Sequence, residues 1–150
     1  SKGCAMPIPE NSMNVAYSNQ LMEHLHPDDA YEQLSAVYKS LAPGGVYICI
    51  TPNRISGPHD ISKFFDEVAT GFHMKEYTVS ELQNIFYSAG FSKISTYIGG
   101  KGIYLRFPAF LIKSSEKLIQ NIPLPLRKII AGSLPIKALL GAIIVGKKCS

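Results

Sequence analysis

The fold class of this chain follows from the residues APGGVYICIT, Ala42 to Thr51. Pro43 cannot extend a helix, and glycine readily adopts the left-handed conformation that ends one, so APGG marks the end of a helix. The residues that follow, Val46 to Thr51, are apolar and rich in β-branched side chains. A strand this hydrophobic is typical of a parallel sheet that is covered on both faces. We therefore predict a central parallel strand at this position.

Other regular elements are predicted on either side of this strand. Met13 to Ser18 is a short apolar run that indicates a strand, and an amphipathic helix is predicted between it and APGG. A long loop follows Thr51, with a short helix predicted around Ile61 to Ala69. Thr78 and Glu81 then form the capping box of a further helix. Strands joined by helices imply right-handed crossovers, and the predicted fold is therefore α/β with a parallel sheet.

Composition limits the class of protein. The chain has 150 residues, of which 46% are hydrophobic and 17% are charged, enough apolar material for one globular domain. Cys4, Cys49 and Cys149 are far apart and form neither a disulfide framework nor a metal-binding motif, which favours a cytoplasmic protein. The longest apolar run near the end, Ala138 to Gly146, is shorter than the roughly 20 residues that a membrane-spanning helix needs.

Charge divides the chain into two parts. Residues 1 to 97 carry six basic and ten acidic residues, a net charge of −4, whereas the remainder carries nine basic residues and one acidic residue, a net charge of +8. Within that basic part, residues 101–137 mix cationic and apolar side chains, and short amphipathic helices are predicted there. Such a segment could lie in the plane of a membrane surface or pack on the edge of the sheet with its charges solvated. Both interpretations stay open at the sequence level.

Polar side chains follow the predicted strand Met13 to Ser18. The loop SNQLMEHLHPDD, Ser18 to Asp29, contains Glu23 and His24. Ligands of open α/β sheets bind outside the carboxyl ends of the strands, so this loop is in the right place for a site. Glu23 and His24 could provide a catalytic base, take part in a metal site, or only orient the loop before the helix.

Three segments of the sequence resemble a known family: PIPENSMNVAYSNQLMEHL, LAPGGVYICITPN and GFHMKEYTVSELQNIFYSAGF. In this order and spacing, they are similar to the second half of a class I S-adenosylmethionine-dependent methyltransferase, from its fourth strand onward. The resemblance covers roughly residues 6–98. It implies a Rossmann-like, doubly wound, seven-stranded sheet whose last strand is antiparallel. Phe91 to Ile98 and Ala142 to Lys147 would form the closing hairpin, with a basic, apolar insertion at about 99–141.

The sequence departs from that family in ways that bear on activity. The glycine-rich turn and the ribose-binding acidic residue of the family lie in its first half, for which this chain has no counterpart. Asn14 stands where the family usually has an aspartate. We therefore interpret residues 1–150 as the C-terminal half of a methyltransferase domain, a fragment that would be inactive alone.

The resemblance implies roles for several residues. Ser18, Asn19 and Gln20 would lie along the methionine part of the cofactor, S-adenosylmethionine. Glu23 and His24 would be the catalytic residues, with His24 as the base for a hydroxyl acceptor.

A metal site is not predicted in this loop. Some quinone-pathway O-methyltransferases carry a Glu-x-x-Glu-His metal site here, but the first position in this chain is Gln20, a weaker ligand for a hard cation.

The resemblance also implies a lid over the substrate, formed by the long loop after Thr51. His59, His73 and Tyr77 would belong to this lid and contact the substrate.

The predicted function is methyl transfer to a small-molecule or lipid-linked acceptor, and peripheral membrane contact through residues 101–137 is one of the two open interpretations of that segment. The alternative is a non-catalytic remnant that acts as a binding or membrane-surface module. No nucleic-acid partner is predicted, because no DNA- or RNA-binding motif accompanies the aromatic residues of the insertion.

Overall fold

The computed structural model describes residues 7–100, 102–133, 136 and 139–149. Cys4, Ala138 and the first and last residues of the range 101–137 figure in the predictions above and lie outside the described residues. The strands are β1 (Met13–Asn19), β2 (Leu41–Thr51), β3 (Lys93–Gly100), β4 (Ile103–Phe107) and β5 (Ala142–Lys147). The helices are α1 (Pro27–Ser40), α2 (Val79–Ser88), α3 (Ala109–Gln120) and α4 (Leu124–Gly132), with short 3-10 helices at Met22–His24, Arg54–Ser56 and Ile61–Phe64.

The five strands form one sheet in the order β1-β2-β5-β3-β4. β1 and β2 are parallel, and the remaining pairs are antiparallel. The predicted closing hairpin is confirmed, because β3 and β5 pair from Lys93 with Lys147 to Tyr97 with Ile143. β2 lies between β1 and β5, so its predicted central position is also confirmed.

One face of the sheet is buried against the helices. Along β2, Tyr47 and Cys49 point to this face and are at most 1% exposed. The rings of Tyr47 and Phe86 stack with centroids 5.5 Å apart, and Phe91 packs 5.1 Å from Phe86. A Cβ atom on Gly146 would come within 2.7 Å of both phenylalanine rings, so only glycine fits this position of β5.

The other face of the sheet is partly open. Tyr17, Ile48, Ile50 and Tyr97 contribute to an apolar groove of about 410 Å³ on this face. Tyr17 is 61% exposed. The prediction that β2 is covered on both faces is therefore wrong for the described residues: Ile48 and Ile50 line the groove and are only half-buried.

The helices begin where local sequence signals predict. Pro27 occupies the first turn of α1, where a missing N–H costs nothing. At α2 the Thr78 hydroxyl accepts a hydrogen bond from the backbone N–H of Glu81, and the Glu81 carboxylate accepts one from the backbone N–H of Thr78. The predicted capping box is confirmed.

Two elements differ from the sequence prediction. Residues 103–107 were predicted to be helical together with the rest of the insertion, but they form β4, which pairs with β3. Gly99 (φ +135°) and Gly102 (φ +86°) allow the chain to reverse tightly between the two strands. The helix predicted around Ile61 to Ala69 is only the 3-10 turn Ile61–Phe64. Among the described residues, no helix combines the length and apolarity needed to span a membrane.

Candidate active site

A cleft of about 410 Å³ lies at the carboxyl ends of β1 and β2. Gln20 and Thr51 line it from the two strand ends, and Asn53, Ser56 and His59 line it from the loop that follows β2. Polar groups thus meet at the sheet edge where α/β proteins bind their ligands.

The three residues predicted to contact the cofactor have different environments. Ser18 is only 7% exposed, and its hydroxyl lies 2.7 Å from the Tyr47 hydroxyl, on the core side of β1. Asn19 and Gln20 are exposed. Gln20 has a φ of +56°, unusual for a residue with a side chain, and its N–H donates to the carbonyl of Ile50. Cofactor contact by these three residues stays a prediction.

Two groups in the core beneath the site, the Cys49 thiol and the Tyr47 hydroxyl, remain protonated near neutral pH. Burial raises the pKa of the Cys49 thiol to about 12. Burial also raises the pKa of Tyr47 well above its usual value, and the neighbouring Cys49 adds to this effect. Neither group ionises near neutral pH, so neither supplies a nucleophile or base to the cleft.

Glu23, one of the two predicted catalytic residues, is fully buried. Its side chain has no exposed surface. Thr51 donates its hydroxyl hydrogen to Glu23 Oε2 over 2.7 Å, whereas Glu23 Oε1 is buried and has no hydrogen-bond partner among the residues that the structure describes. The Glu23 carbonyl accepts hydrogen bonds from the backbone N–H groups of Met74 and Lys75. These two bonds attach the loop containing His73 to the end of β1.

His24 is exposed and has a defined ring orientation. Its Nδ1 lies 3.1 Å from the carbonyl oxygen of Phe72. Since a carbonyl only accepts hydrogen bonds, Nδ1 carries a hydrogen, and in the neutral ring Nε2 has the lone pair. The ring of His73 lies edge-on to the ring of His24, with centroids 4.9 Å apart.

His73 is oriented by a carboxylate that was not predicted to be part of the site. His73 Nδ1 lies 2.8 Å from Glu76 Oε1, and the two side chains are 9% and 2% exposed. Glu76 Oε1 also accepts the backbone N–H of His59 over 2.7 Å. The spacing HMKE could have indicated Glu76, because histidine and glutamate three residues apart often meet in a turn.

Asp60 shapes the same loop through backbone hydrogen bonds. Its Oδ2 accepts the N–H groups of Gly71, Phe72 and His73 over 2.8 to 3.1 Å, and its Oδ1 accepts that of Ser62. Burial alone would raise the pKa of Asp60, but these hydrogen bonds hold it well below its usual range. No sequence pattern pointed to this role.

His59 lines the cleft, and one nitrogen of its ring has two polar contacts. Its Nε2 lies 3.2 Å from the carbonyl oxygen of Asn53 and 3.0 Å from the hydroxyl of Ser56. Tyr77 instead is fully buried. Burial raises the pKa of Tyr77 to about 12, and no described residue forms a hydrogen bond with its hydroxyl. Substrate contacts by His59, His73 and Tyr77 remain predictions, although a fully buried Tyr77 presents no surface to a ligand in this conformation.

Glu23, His24 and His73 come together at the end of β1. Each offers one ligand atom that lies within 4.8 Å of the other two. An exposed imidazole with a free nitrogen can accept a proton, and a carboxylate with two imidazoles can bind a cation. The sequence predicted Glu23 and His24 as catalytic residues of one loop, but it assigned His73 to a separate lid.

The chain is similar to a probable S-adenosylmethionine-dependent methyltransferase of Mycolicibacterium smegmatis, at 35% identity over 86 residues. This match covers 57% of the present chain and 31% of the relative. No family model matches the chain.

Solved structures share the architecture at low sequence identity. A possible histamine N-methyltransferase of Thermotoga maritima superposes with a TM-score of 0.57 at 16% identity, over 97% of this chain and 60% of that one. Phosphoethanolamine N-methyltransferase 2 of Haemonchus contortus, solved with S-adenosylmethionine, gives a TM-score of 0.56 at 18% identity, over 98% and 36%. The fold is that of S-adenosylmethionine-dependent methyltransferases.

This methyltransferase fold confirms the predicted fold class, a Rossmann-like α/β architecture. The chain spans 31% of the length of the curated relative and 60% of the Thermotoga structure. The interpretation as the C-terminal half of a domain stays a prediction.

Proposed function

We propose that the protein carrying these residues transfers a methyl group from S-adenosylmethionine to a small-molecule or lipid-linked acceptor. The observation that carries this proposal is the 35% identity with the mycobacterial probable methyltransferase, combined with a shared fold. The cleft at the carboxyl ends of β1 and β2 supports it, because polar groups for a ligand lie there.

The cofactor would approach the end of β1. Asn19 and Gln20 are exposed there, and Gln20 lines the cleft. Their amide groups suit the amino-acid part of S-adenosylmethionine, which offers both a carboxylate and an amine. The hydroxyl of Ser18 is engaged with Tyr47, so a contact through that hydroxyl would require this hydrogen bond to be exchanged.

Methyl transfer is an in-line displacement on a sulfonium, and the enzyme gains most from alignment of the two reactants. If the acceptor is a hydroxyl, its proton must also be removed. His24 is the residue best suited to this step, because it is exposed and its Nδ1–H is directed to Phe72, which leaves Nε2 free. Glu23 would support the loop from below through its bond with Thr51.

The test is release of S-adenosylhomocysteine by the whole protein with a panel of phenolic, amine and lipid-linked acceptors. With an active hydroxyl acceptor, His24→Ala should lower turnover by roughly 10²-fold or more, with little change in cofactor affinity. His26→Ala is the matched control, since His26 is exposed on the same loop. Equal losses in both variants, or losses that follow thermal stability, would contradict a role for His24 in proton removal.

A second candidate function is a non-catalytic module that binds a membrane surface. It is favoured by the apolar side chains that α3 and α4 present to solvent: Phe110 is 66% exposed, Leu118 is 71% exposed and Ile129 is 72% exposed. Lys117 and Arg106 are exposed in the same part of the chain. Cationic and apolar groups together suit an anionic lipid interface. The same surface would bring a lipid-linked acceptor to a methyltransferase.

A further inference from the structure

Glu23 is buried, and only one of its two side-chain oxygens has a described hydrogen-bond partner. Its side chain has no exposed surface, and Thr51 satisfies only Oε2. Within the described part of the chain, Oε1 has no hydrogen-bond donor, and the ion pairs of Lys75 and Arg54 are with Glu81, not with Glu23. Burying a carboxylate without a partner is costly, so such a group normally marks a missing cation or proton.

The two histidines beside Glu23 are oriented as metal ligands usually are. A metal-bound histidine commonly donates its second ring N–H to a carbonyl or carboxylate, which fixes the ring and the tautomer. His24 donates from Nδ1 to the carbonyl of Phe72, and His73 donates from Nδ1 to the carboxylate of Glu76. With these N–H groups on Nδ1, Nε2 of each neutral imidazole has the lone pair that a metal ion requires. Glu76 is itself fixed, since it accepts the backbone N–H of His59.

We propose that Glu23, His24 and His73 bind a divalent first-row transition-metal ion such as Zn²⁺. Ligand atoms of the three residues lie within 4.8 Å of one another. In tetrahedral geometry, an ion about 2.1 Å from each ligand would bring these atoms to about 3.4 Å from one another, a closure that requires the exposed ring of His24 to move toward Glu23 and His73. Two imidazoles and one carboxylate suit Zn²⁺, Mn²⁺ or Fe²⁺ better than Mg²⁺, which prefers oxygen ligands.

The sequence alone argued against a metal here. That prediction considered only ligands in the loop after β1, where Gln20 is a weak ligand for a hard cation. The third ligand comes instead from His73, which the hydrogen bonds from Met74 and Lys75 to the Glu23 carbonyl bring to the end of β1.

Three protein ligands leave positions on the ion for water or for an oxygen of the acceptor. A hydroxyl bound there would lose its proton more readily, because the ion lowers its pKa. His24 would then act as a ligand and not as the base. This consequence rests on the proposed methyl transfer, whereas binding of the ion does not.

Titration calorimetry of the chelator-treated chain with Zn²⁺, without S-adenosylmethionine, tests the proposal. The chain should carry Cys149→Ser, since Cys149 is an exposed thiol. We expect one ion per chain, and binding weakened by more than roughly 100-fold in His24→Ala and His73→Ala, because loss of a ligand should cost more than the roughly 10- to 100-fold loss that follows removal of a partner behind a ligand. His26→Ala should bind like the parent, because His26 lies outside the cluster.

His24 is exposed, so His24→Ala should fold, and circular dichroism checks that it does. Failure to bind Zn²⁺, or unchanged affinity in a folded His24→Ala variant, would overturn the proposal. Glu76→Gln is a further test, since it weakens the orientation of His73 without removing a ligand, and it should give an intermediate loss. Because calorimetry needs no methyl acceptor, a negative result here leaves the test of methyl transfer independent.

Discussion

At the scale of single residues, Asp60 organises the candidate site although it is not one of the predicted site residues. Its carboxylate accepts hydrogen bonds from the backbone N–H groups of Gly71, Phe72 and His73. Phe72 in turn accepts the Nδ1–H of His24. One buried carboxylate thus fixes the loop that presents His73 and orients the ring of His24.

Replacing Asp60 by asparagine should destabilise the fold by about 1 to 3 kcal/mol at pH 7, because hydrogen bonds to a charged acceptor are lost. The pKa of Asp60 lies below its ordinary value of 3.8, so its stabilising effect is complete above that value and is lost as the pH falls through the folded-state pKa. The difference in free energy of unfolding between the parent and Asp60→Asn should therefore be constant from pH 7 to 5 and should decrease below pH 3.8. Urea unfolding of both proteins at several pH values measures this difference.

Glu67→Gln is the control for Asp60→Asn, since Glu67 is an exposed carboxylate in the same loop. It should change stability little at any pH. A difference that stays constant down to the lowest pH at which the parent folds would show that the charge of Asp60 does not contribute.

The burial of Glu23 shows why the site could be predicted only in part. A polar loop at the end of a parallel strand could be located from residue patterns, and Glu23 and His24 lie there. An acidic residue is normally exposed, so nothing in the sequence indicated that Glu23 is fully buried. His73 follows about fifty residues later in a loop without periodicity, and its position depends on backbone hydrogen bonds that no side-chain pattern encodes.

At the scale of secondary-structure elements, α3 is attached to the site end of the sheet by one buried carboxylate. Glu116 is 3% exposed. Its Oε1 accepts a hydrogen bond from Asn53 Nδ2 over 2.6 Å and one from the backbone N–H of Val79 over 2.7 Å. Asn53 lines the cleft, so the insertion and the cleft are coupled through this pair.

Glu116→Ala should lower the free energy of unfolding by about 2 kcal/mol or more, because two buried donors lose their acceptor. Glu116→Gln keeps an amide oxygen and should cost less. Gln120→Ala, at an exposed position of the same helix, controls for changes in helix propensity. Urea unfolding followed by circular dichroism measures all three. Equal stability of Glu116→Ala and Gln120→Ala would show that α3 does not depend on this contact.

β4 is an element that the sequence pattern did not predict. The capping box of α2 and the strand β5 were predicted because their signals are local. Residues 103–107 sit between basic residues and before α3, and a short apolar run does not distinguish helix from strand. β3 provides the pairing that makes them a strand, a contact between segments that the sequence alone does not place together.

At the scale of the whole molecule, charge and exposed apolar surface coincide in the C-terminal part. Residues 1 to 97 carry a net charge of −4 and the remainder +8. Among the described basic residues of that part, Arg106 and Lys117 are exposed, as are the apolar side chains of Phe110 and Leu118. An anionic membrane should therefore attract this part and repel the rest, which would orient the molecule at the surface.

Flotation with anionic vesicles tests this orientation. We expect binding at low salt that weakens as salt is added, because exposed charges are screened. Replacing Lys113 and Lys117 together by glutamine should lower the partition coefficient roughly 30-fold, since each basic residue near an anionic leaflet contributes about 1 kcal/mol. Phe110→Ser should also reduce binding, whereas Phe64→Ser should not, although Phe64 is 77% exposed, because it lies in the acidic part. If both phenylalanine variants bind like the parent, or if neutral vesicles bind equally well, the basic surface is not a membrane contact and its charges are only solvated.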